Sequence, residues 1–353
     1  MKLEKRTHTS SAALLLASLG AVLFTLIISA LLVLWAGAPV GQTYALLFKG
    51  GFGSVFGLSE TLTRSIPLML TGLAAAVAFK ARLFNIGAEG QLYAGALAAV
   101  AVGGQHGGSG FDVPPALLFV LMMAAAALAG AVLLLGPALM KARLGVDEVV
   151  TTLLLNFIVL LGVSLMLDGP MKDPAAMGWP QSVALQGELE LSRLIAQTRV
   201  HTGLLWGLTL ALGLWALMKY SVLGFDIRAV GANPRAATFA GVSVTRTVVL
   251  VAMLSGGLAG LAGAIEVAGR TSYLTLDISP GYGYSGIVIA MLAGLHPLGV
   301  LLGSVFVAGV LVGADSMSRI VGVPTYIADV IVATALIAVL VSTLLTQYRL
   351  RLK

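Results

Sequence analysis

The sequence contains no cysteine, and only 10% of its 353 residues are charged. The missing thiols exclude disulfide bonds, thiolate metal sites and cysteine nucleophiles. The four histidines fall near the terminus and in loops, without a second histidine or carboxylate at ligand spacing. No Ser/His/Asp set, H-E-x-x-H motif or pair of aspartates within an apolar run is present. We therefore expect no metal site, no catalytic residue and no enzymatic activity.

Long apolar runs are abundant, and hydrophobic residues make up 58% of the chain. A soluble domain of this length has no room to bury so much apolar side chain, whereas helices in a bilayer need not bury it. The 43 glycines and scarce charges argue against a barrel of alternating strands. The sequence predicts an all-α polytopic membrane protein with ten transmembrane spans, near 12–35, 61–79, 86–103, 115–140, 149–167, 202–218, 247–268, 283–294, 298–314 and 325–346.

Lysine and arginine set the predicted orientation. With the N-terminus inside and ten crossings, 14 of the 21 basic side chains lie in the cytoplasm, as the positive-inside rule requires. Both termini are then cytoplasmic. Because these residues flank apolar spans, topology explains the net charge of +6 better than nucleic-acid binding does. The eighth span is short and ends before His296-Pro297, so it either crosses fully, continues into the ninth as a kinked helix, or is re-entrant.

We expect a single transmembrane domain over residues 1–353 with two long connections. Residues 168–200 form an external loop region, where GELELSRLIAQT predicts a short amphipathic helix. Residues 219–246 form the main cytoplasmic segment. On the seventh span, Glu266 and Arg270 are four residues apart, which predicts an ion pair at its outer end.

The stretch FNIGAEGQLYAG at 84–95 places Asn85, Glu89 and Gln91 at the mouth of the third span. A carboxylate that faces lipid at mid-membrane costs about 2.5–3.5 kcal/mol, so Glu89 is expected to face protein, a cavity or the headgroup boundary. These residues either form a pathway or inner gate that touches the solute, or are structural. In the structural alternative, Glu89 pairs with Arg82 or another basic residue, and Asn85 caps the helix.

Two more polar side chains lie on the fifth span. Thr152 and Asn156 are four residues apart and share one helix face. They either line the pathway or form hydrogen bonds between helices, which are common in membrane bundles. A second glycine-rich mouth, GYGYSGIVIA at 281–290, resembles the one at 85–95 and is a weak sign of internal duplication.

The cytoplasmic segment contains a short helix signal. Asn233-Pro234 predicts a helix start, about two turns follow, and Gly241 predicts the end. A helix with small residues on one face either seats in a groove of another protein or is an ordinary connector.

This segment resembles the coupling loop of permease subunits of bacterial ABC importers in the branched-chain amino acid and simple sugar group. FNIGAEGQ, the stretch GVDEVVTTLLLNFI at 145–158 and the last third of the chain agree with the same family, and FNIGAEGQ is most similar to its nucleoside-type members. The resemblance implies a type II ABC importer permease fold. The positions to which it assigns contact with the ATPase are Asp226, Arg228, Gly231, Asn233, Arg235, Ala236, Ala237 and Gly241.

The resemblance also implies a function and partners. The expected function is import of nucleosides, with purine nucleosides as the expected case, across a bacterial cytoplasmic membrane by alternating access. The chain has no G-x-x-x-x-G-K-[ST] phosphate loop, so ATP must be used by separate ATP-binding subunits, and this chain needs no cofactor. A second permease, paralogue or second copy, and an extracytoplasmic binding protein complete the expected assembly. The alternatives are import of a monosaccharide such as ribose or galactose, and ion-coupled secondary transport.

Overall fold

The structure is a computed structural model that describes residues 2–5, 11–105 and 113–351. Arg6 and Lys353, which the predicted orientation places in the cytoplasm, lie outside these residues. Helices dominate the described residues, as the apolar runs predict. They are α1 (Ser11–Trp35), α2 (Val40–Phe52), α3 (Val55–Lys80), α4 (Ala88–Gly103), α5 (Pro115–Leu144), α6 (Glu148–Asp168), α7 (Gly203–Tyr220), α8 (Val222–Ala232), α9 (Pro234–Phe239), α10 (Val244–Glu266), α11 (Tyr282–Leu292), α12 (Pro297–Val321) and α13 (Tyr326–Gln347). Two short strands, β1 (Lys2–Lys5) and β2 (Tyr348–Arg351), pair antiparallel.

Each predicted span overlaps a helix, but the helices differ in length. Within the described ranges, six are long and apolar enough to cross a membrane: α3, α5, α6, α7, α10 with its continuation to Thr271, and α12. The pair Leu23–Trp35 and Val40–Phe52, bent by 114°, is a further candidate. Helices α4 and α11 have only 16 and 11 residues. The count of ten spans therefore stays a prediction.

The segment 168–200, which is predicted to be external, contains little regular structure, and the amphipathic helix predicted there is wrong. Only Gly187–Leu189 forms a short 3-10 turn. The amide of Leu191 donates to the carbonyl of Ala268 at 2.8 Å, and that of Leu194 donates to the carbonyl of Val200 at 2.8 Å. These bonds to distant and following carbonyls replace the i→i−4 bonds that a helix would need.

The chain forms two compact units. The first comprises Met1–Thr61 and Phe306–Lys353. In it the hydroxyl of Thr61 donates to the carbonyl of Gly51 at 2.8 Å. A side chain at Gly313 would overlap the backbone of Leu47, so the bare backbone here lets α12 and α2 touch directly.

The second unit, Leu62–Val305, is built around α10. Helix α10 packs against α4 and α5 and is largely buried. A side chain at Gly256 would meet Gly130 on α5, and one at Gly260 would meet Ala126, also on α5. Small residues at these positions bring the backbones close, which is the main source of packing contact between helices in lipid.

Candidate functional site

The chain leaves the helical conformation between α3 and α4, within the stretch that the sequence marks as polar. Residues 83–86 are not helical, and the side chain of Asn85 organises the turn. Its Oδ1 accepts from the amide of Gly87 at 2.9 Å and from Nε2 of Gln91 at 2.9 Å. Its Nδ2 donates to Oε1 of Gln91 at 2.8 Å and to the hydroxyl of Ser255 on α10 at 3.1 Å. The side-chain amides of Asn85 and Gln91 thus form two hydrogen bonds with each other, and Asn85 links the turn to α10.

Helix α6 completes this network with the two predicted side chains. The hydroxyl of Thr152 accepts from the amide of Ile86 at 3.2 Å. Oδ1 of Asn156 accepts from the amide of Gly90 at 2.8 Å, while its Nδ2 donates to the carbonyl of Ile86 at 2.9 Å. Both side chains are buried. Their observed contacts are hydrogen bonds between helices, and the pathway-lining role stays a prediction.

Glu89 reaches the other glycine-rich mouth. Its Oε2 accepts from the amide of Gly283 at 2.6 Å, in the first turn of α11. Gly283 lies so close to the backbone of Glu89 that a side chain there would collide with it. The two mouths that look alike in sequence are therefore packed against each other, with the carboxylate of Glu89 between two helix N-termini, where negative charge is favoured.

The ion pair considered for Glu89 is made by a different glutamate. Glu148, the first residue of α6, pairs with Lys141 of α5, and its Oε1 also accepts from the amide of Phe84 at 3.0 Å. Lys141 donates in addition to the carbonyl of Arg82, whose own side chain is exposed. Glu89 does not pair with Arg82 because its carboxylate points toward α11.

The segment 219–246, which is predicted to be cytoplasmic, folds as two short helices, and the ends of α9 are capped as expected. The side chain of Asn233 accepts from the amides of Arg235 and Ala236 at 3.0 and 3.3 Å and begins α9. Gly241 follows α9 with a φ of 86°, a backbone conformation that favours glycine. In α8, a side chain at Gly231 would overlap the carbonyl of Lys80, so α8 sits directly on the end of α3.

The residues assigned to ATPase contact differ in accessibility. Arg228, Arg235 and Ala236 are exposed, and Asp226 is half-buried. Ala237, in contrast, is only 4% exposed because it faces back into the unit. Asn233 and Gly241 shape the ends of α9, and Gly231 lets α8 approach α3. Contact of any of these residues with an ATPase stays a prediction.

Comparison with known proteins decides the class of this chain. Residues 57–340 match the family described as branched-chain amino acid transport system, permease component. The chain belongs to this permease family. It is 34% identical over 328 residues to the guanosine ABC transporter permease protein NupP of Bacillus subtilis (strain 168), with 92% of each chain covered.

Two further relatives cover most of the permease. The glucose ABC transporter permease protein TsgB13 of Haloferax volcanii is 35% identical over 318 residues, which are 87% of this chain and 82% of that protein. The nucleoside ABC transporter permease protein NupB of Lactococcus lactis subsp. cremoris (strain MG1363) is 30% identical over 321 residues, 89% of this chain and 87% of that one. These matches confirm the family resemblance and the all-α membrane fold.

Sequence reasoning missed two aromatic residues of the permease. Phe239, at the end of α9, is 97% exposed on the cytoplasmic segment, and Tyr284, in the first turn of α11, is 39% exposed. Phe239 lies two residues after Ala237 in the cytoplasmic segment, and Tyr284 lies in the second glycine-rich mouth. The available signal was a large aromatic side chain within a run of small residues: PRAATFAG for Phe239 and GYGYSG for Tyr284.

Proposed function

We propose that this permease is the membrane subunit of an ATP-driven importer that carries nucleosides, purine nucleosides in particular, into the cell. The guanosine relative, 34% identical with 92% of each chain covered, carries this proposal. The nucleoside relative NupB supports the same substrate class. The cytoplasmic membrane is the site that such a role requires.

The coupling arrangement supports an ATPase supplied by other subunits. Helix α9 exposes Ala236 and Phe239 on the cytoplasmic segment, while Asn233 and Gly241 fix its two ends. A short, well-capped helix with an exposed aromatic side chain fits a groove on a partner. ATP-binding subunits would grip α9, use the ATP and move it as a lever during alternating access. A second permease and an external binding protein would complete the importer, and the chain itself would hold no cofactor.

The test is uptake of radiolabelled guanosine by proteoliposomes that contain the full complex. ATP inside the vesicles and binding protein outside should produce accumulation, and a non-hydrolysable ATP analogue should not. A sodium or proton gradient alone should give no uptake. Accumulation driven by a gradient without ATP would contradict the proposal and favour secondary transport.

Monosaccharide import is the second candidate, because the glucose permease relative is 35% identical to this chain. The same vesicles separate the two candidates. Unlabelled guanosine in excess should abolish guanosine uptake, whereas glucose, ribose and galactose should leave it unchanged. ATP-dependent uptake of a labelled sugar without uptake of guanosine would transfer the assignment to sugars.

A further inference from the structure

The start of α11 lies against the middle of α3. The hydroxyl of Thr71 on α3 donates to the carbonyl of Tyr282 at 2.9 Å, and Thr71 lies about 13 Å along the axis from Lys80, where α3 ends. Asn156 likewise lies about 12 Å from Glu148, where α6 begins. When Lys80 and Glu148 are taken as the boundary of a hydrocarbon core about 30 Å thick, both distances put the start of α11 near its middle.

Tyr284 brings a polar aromatic side chain to the surface at this depth. It is 39% exposed, and its hydroxyl accepts from Nδ2 of Asn156 at 3.1 Å. Asn156 is fully buried and uses its other amide contacts on Ile86 and Gly90, so it holds the tyrosine hydroxyl in one position. Tyr284 is thus partly exposed, while its hydroxyl is held by a buried amide.

A hydroxyl in this position is unfavourable against lipid. Hydrocarbon offers no hydrogen-bond partner, and polar groups at this depth in membrane proteins face the bundle or a water-filled cavity. A tyrosine hydroxyl both accepts and donates. That of Tyr284 accepts from Asn156, and among the residues that the structure describes it has no acceptor for its own proton. The surface at Tyr284 therefore fits an aqueous pathway with a polar solute passing through it.

We propose that Tyr284 is a contact site for the nucleobase of the transported solute, with Asn156 as the positioning residue behind it. This inference rests on the proposed function. The ring offers a flat face on which a base stacks, which suits any purine or pyrimidine because every base has a π-face. The hydroxyl proton is free to bond to a base nitrogen or carbonyl oxygen. Val288, one turn along α11 and half-buried, extends the apolar part of this surface.

The absence of cysteine in this chain permits a direct test. Tyr284→Cys makes a single thiol at the proposed site. Ile158→Cys is the matched control, because Ile158 lies two residues from Asn156 on α6, hence at similar depth but on the opposite face, and is 63% exposed. The assembled complex in proteoliposomes is treated with a charged, water-soluble methanethiosulfonate reagent, and label on this chain is measured with and without guanosine.

The proposal expects fast labelling of Tyr284→Cys, at least about tenfold slower labelling when guanosine is present, and little labelling of Ile158→Cys. Equal labelling at the two positions, or labelling that guanosine does not slow, overturns it. Transport provides the second arm: Tyr284→Ala should lower the maximal guanosine uptake rate about tenfold, and Tyr284→Trp should retain most of it. Loss of co-purification in Tyr284→Ala would instead identify an interface and overturn the proposal.

The outcomes also separate the two proposals. A wild-type complex that imports guanosine with ATP, together with unprotected Tyr284→Cys, refutes the contact site alone. A wild-type complex that does not import guanosine refutes the proposed function and, with it, the nucleobase contact.

Discussion

Glu89 shows how a single acidic residue is held inside an apolar bundle. Glu89 is 3% exposed, and its Oε2 accepts from the amide of Gly283 at the start of α11. A backbone N–H buried within an apolar bundle has no water to bond with, so its acceptor must come from the protein. Glu89 therefore joins α4 to α11, whatever further part it takes in the transport cycle.

Substitution at Glu89 tests this role. Glu89→Gln keeps an oxygen for the Gly283 amide, whereas Glu89→Leu leaves that donor buried without an acceptor, at a cost of about 1–3 kcal/mol. We expect the leucine variant to unfold at a clearly lower temperature in detergent, and the glutamine variant to stay close to wild type. Glu188→Leu, at an exposed position of the external segment, is the control. Equal unfolding temperatures for the two Glu89 variants would contradict the bond.

His201 makes the stability of the permease depend on pH. It lies outside the membrane-length helices, just before α7, and is 1% exposed. Burial, and then the nearby Arg270 guanidinium, lower the pKa of His201 from 6.5 to about 4. The unfolded chain therefore takes up a proton below pH 6.5 that the folded chain does not accept until about pH 4.

The contribution of His201 to the free energy of unfolding should consequently be complete above pH 6.5. It should fall by about 1.4 kcal/mol per pH unit between roughly pH 6 and pH 4. Thermal unfolding of the detergent-solubilised protein across this range measures the slope. His201→Gln should flatten this part of the profile, and His296→Gln, at an exposed position, should leave it unchanged. A profile that His201→Gln does not alter would refute the assignment.

The sequence is informative about which polar residues matter and less so about what they touch. Asn85 and Gln91 are predicted on the third span and Thr152 and Asn156 on the fifth, and the structure brings the two sets together in one network. Whether these side chains line a pathway or join helices depends on their contact partners. One such partner is Ile86, which lies 70 positions before Asn156. Glu89 and Gly283 are 194 positions apart, so no local pattern reveals their bond.

At the scale of secondary structure, α9 illustrates how caps define a small element. Local signals predict it well because its ends depend on side chain to backbone bonds within a few residues. The facing of each residue is harder to predict, since it depends on packing against α8 and α10. Ala236 and Ala237 look equivalent in sequence, yet one is exposed and the other buried.

We expect Phe239→Asp to abolish co-purification of the ATP-binding subunits while the permease stays folded. An exposed aromatic anchor typically contributes about 2 kcal/mol or more to the binding free energy of an interface. A carboxylate at the same position would lose this contribution and would also have to be desolvated in the interface. Affinity purification of the tagged permease measures the bound ATPase. Thr238→Ala is the matched control, because Thr238 is the exposed neighbour and its hydroxyl bonds within α9.

Ala236→Glu should also reduce ATPase binding without loss of fold, whereas Ala237→Glu should lower stability because it forces a charge into a buried position. If Phe239→Asp still bound the ATPase, the result would contradict the prediction that α9 is the docking element.

At the scale of the whole molecule, the two ends of the described chain meet. Lys2 lies opposite Arg351 and Lys5 opposite Tyr348 in the antiparallel pair. Chain ends that pair with each other lie on one side of the membrane, which requires an even number of crossings. The basic residues of both strands favour the cytoplasmic side. The strand pair fits an even number of crossings, whereas the count of ten and the orientation stay predictions.

Protease protection of terminal tags tests this topology. Tags at the N- and C-termini should both resist protease added to intact spheroplasts, and both should be cut in inside-out vesicles. A third tag inserted at Met177, an exposed position in the external segment, should show the reverse pattern. We expect one orientation and no mixture of two, because the opposite orientation would require the basic residues of both strands to cross the membrane. Opposite behaviour of the two terminal tags would show an odd number of crossings and would exclude the strand pair from the membrane-inserted protein.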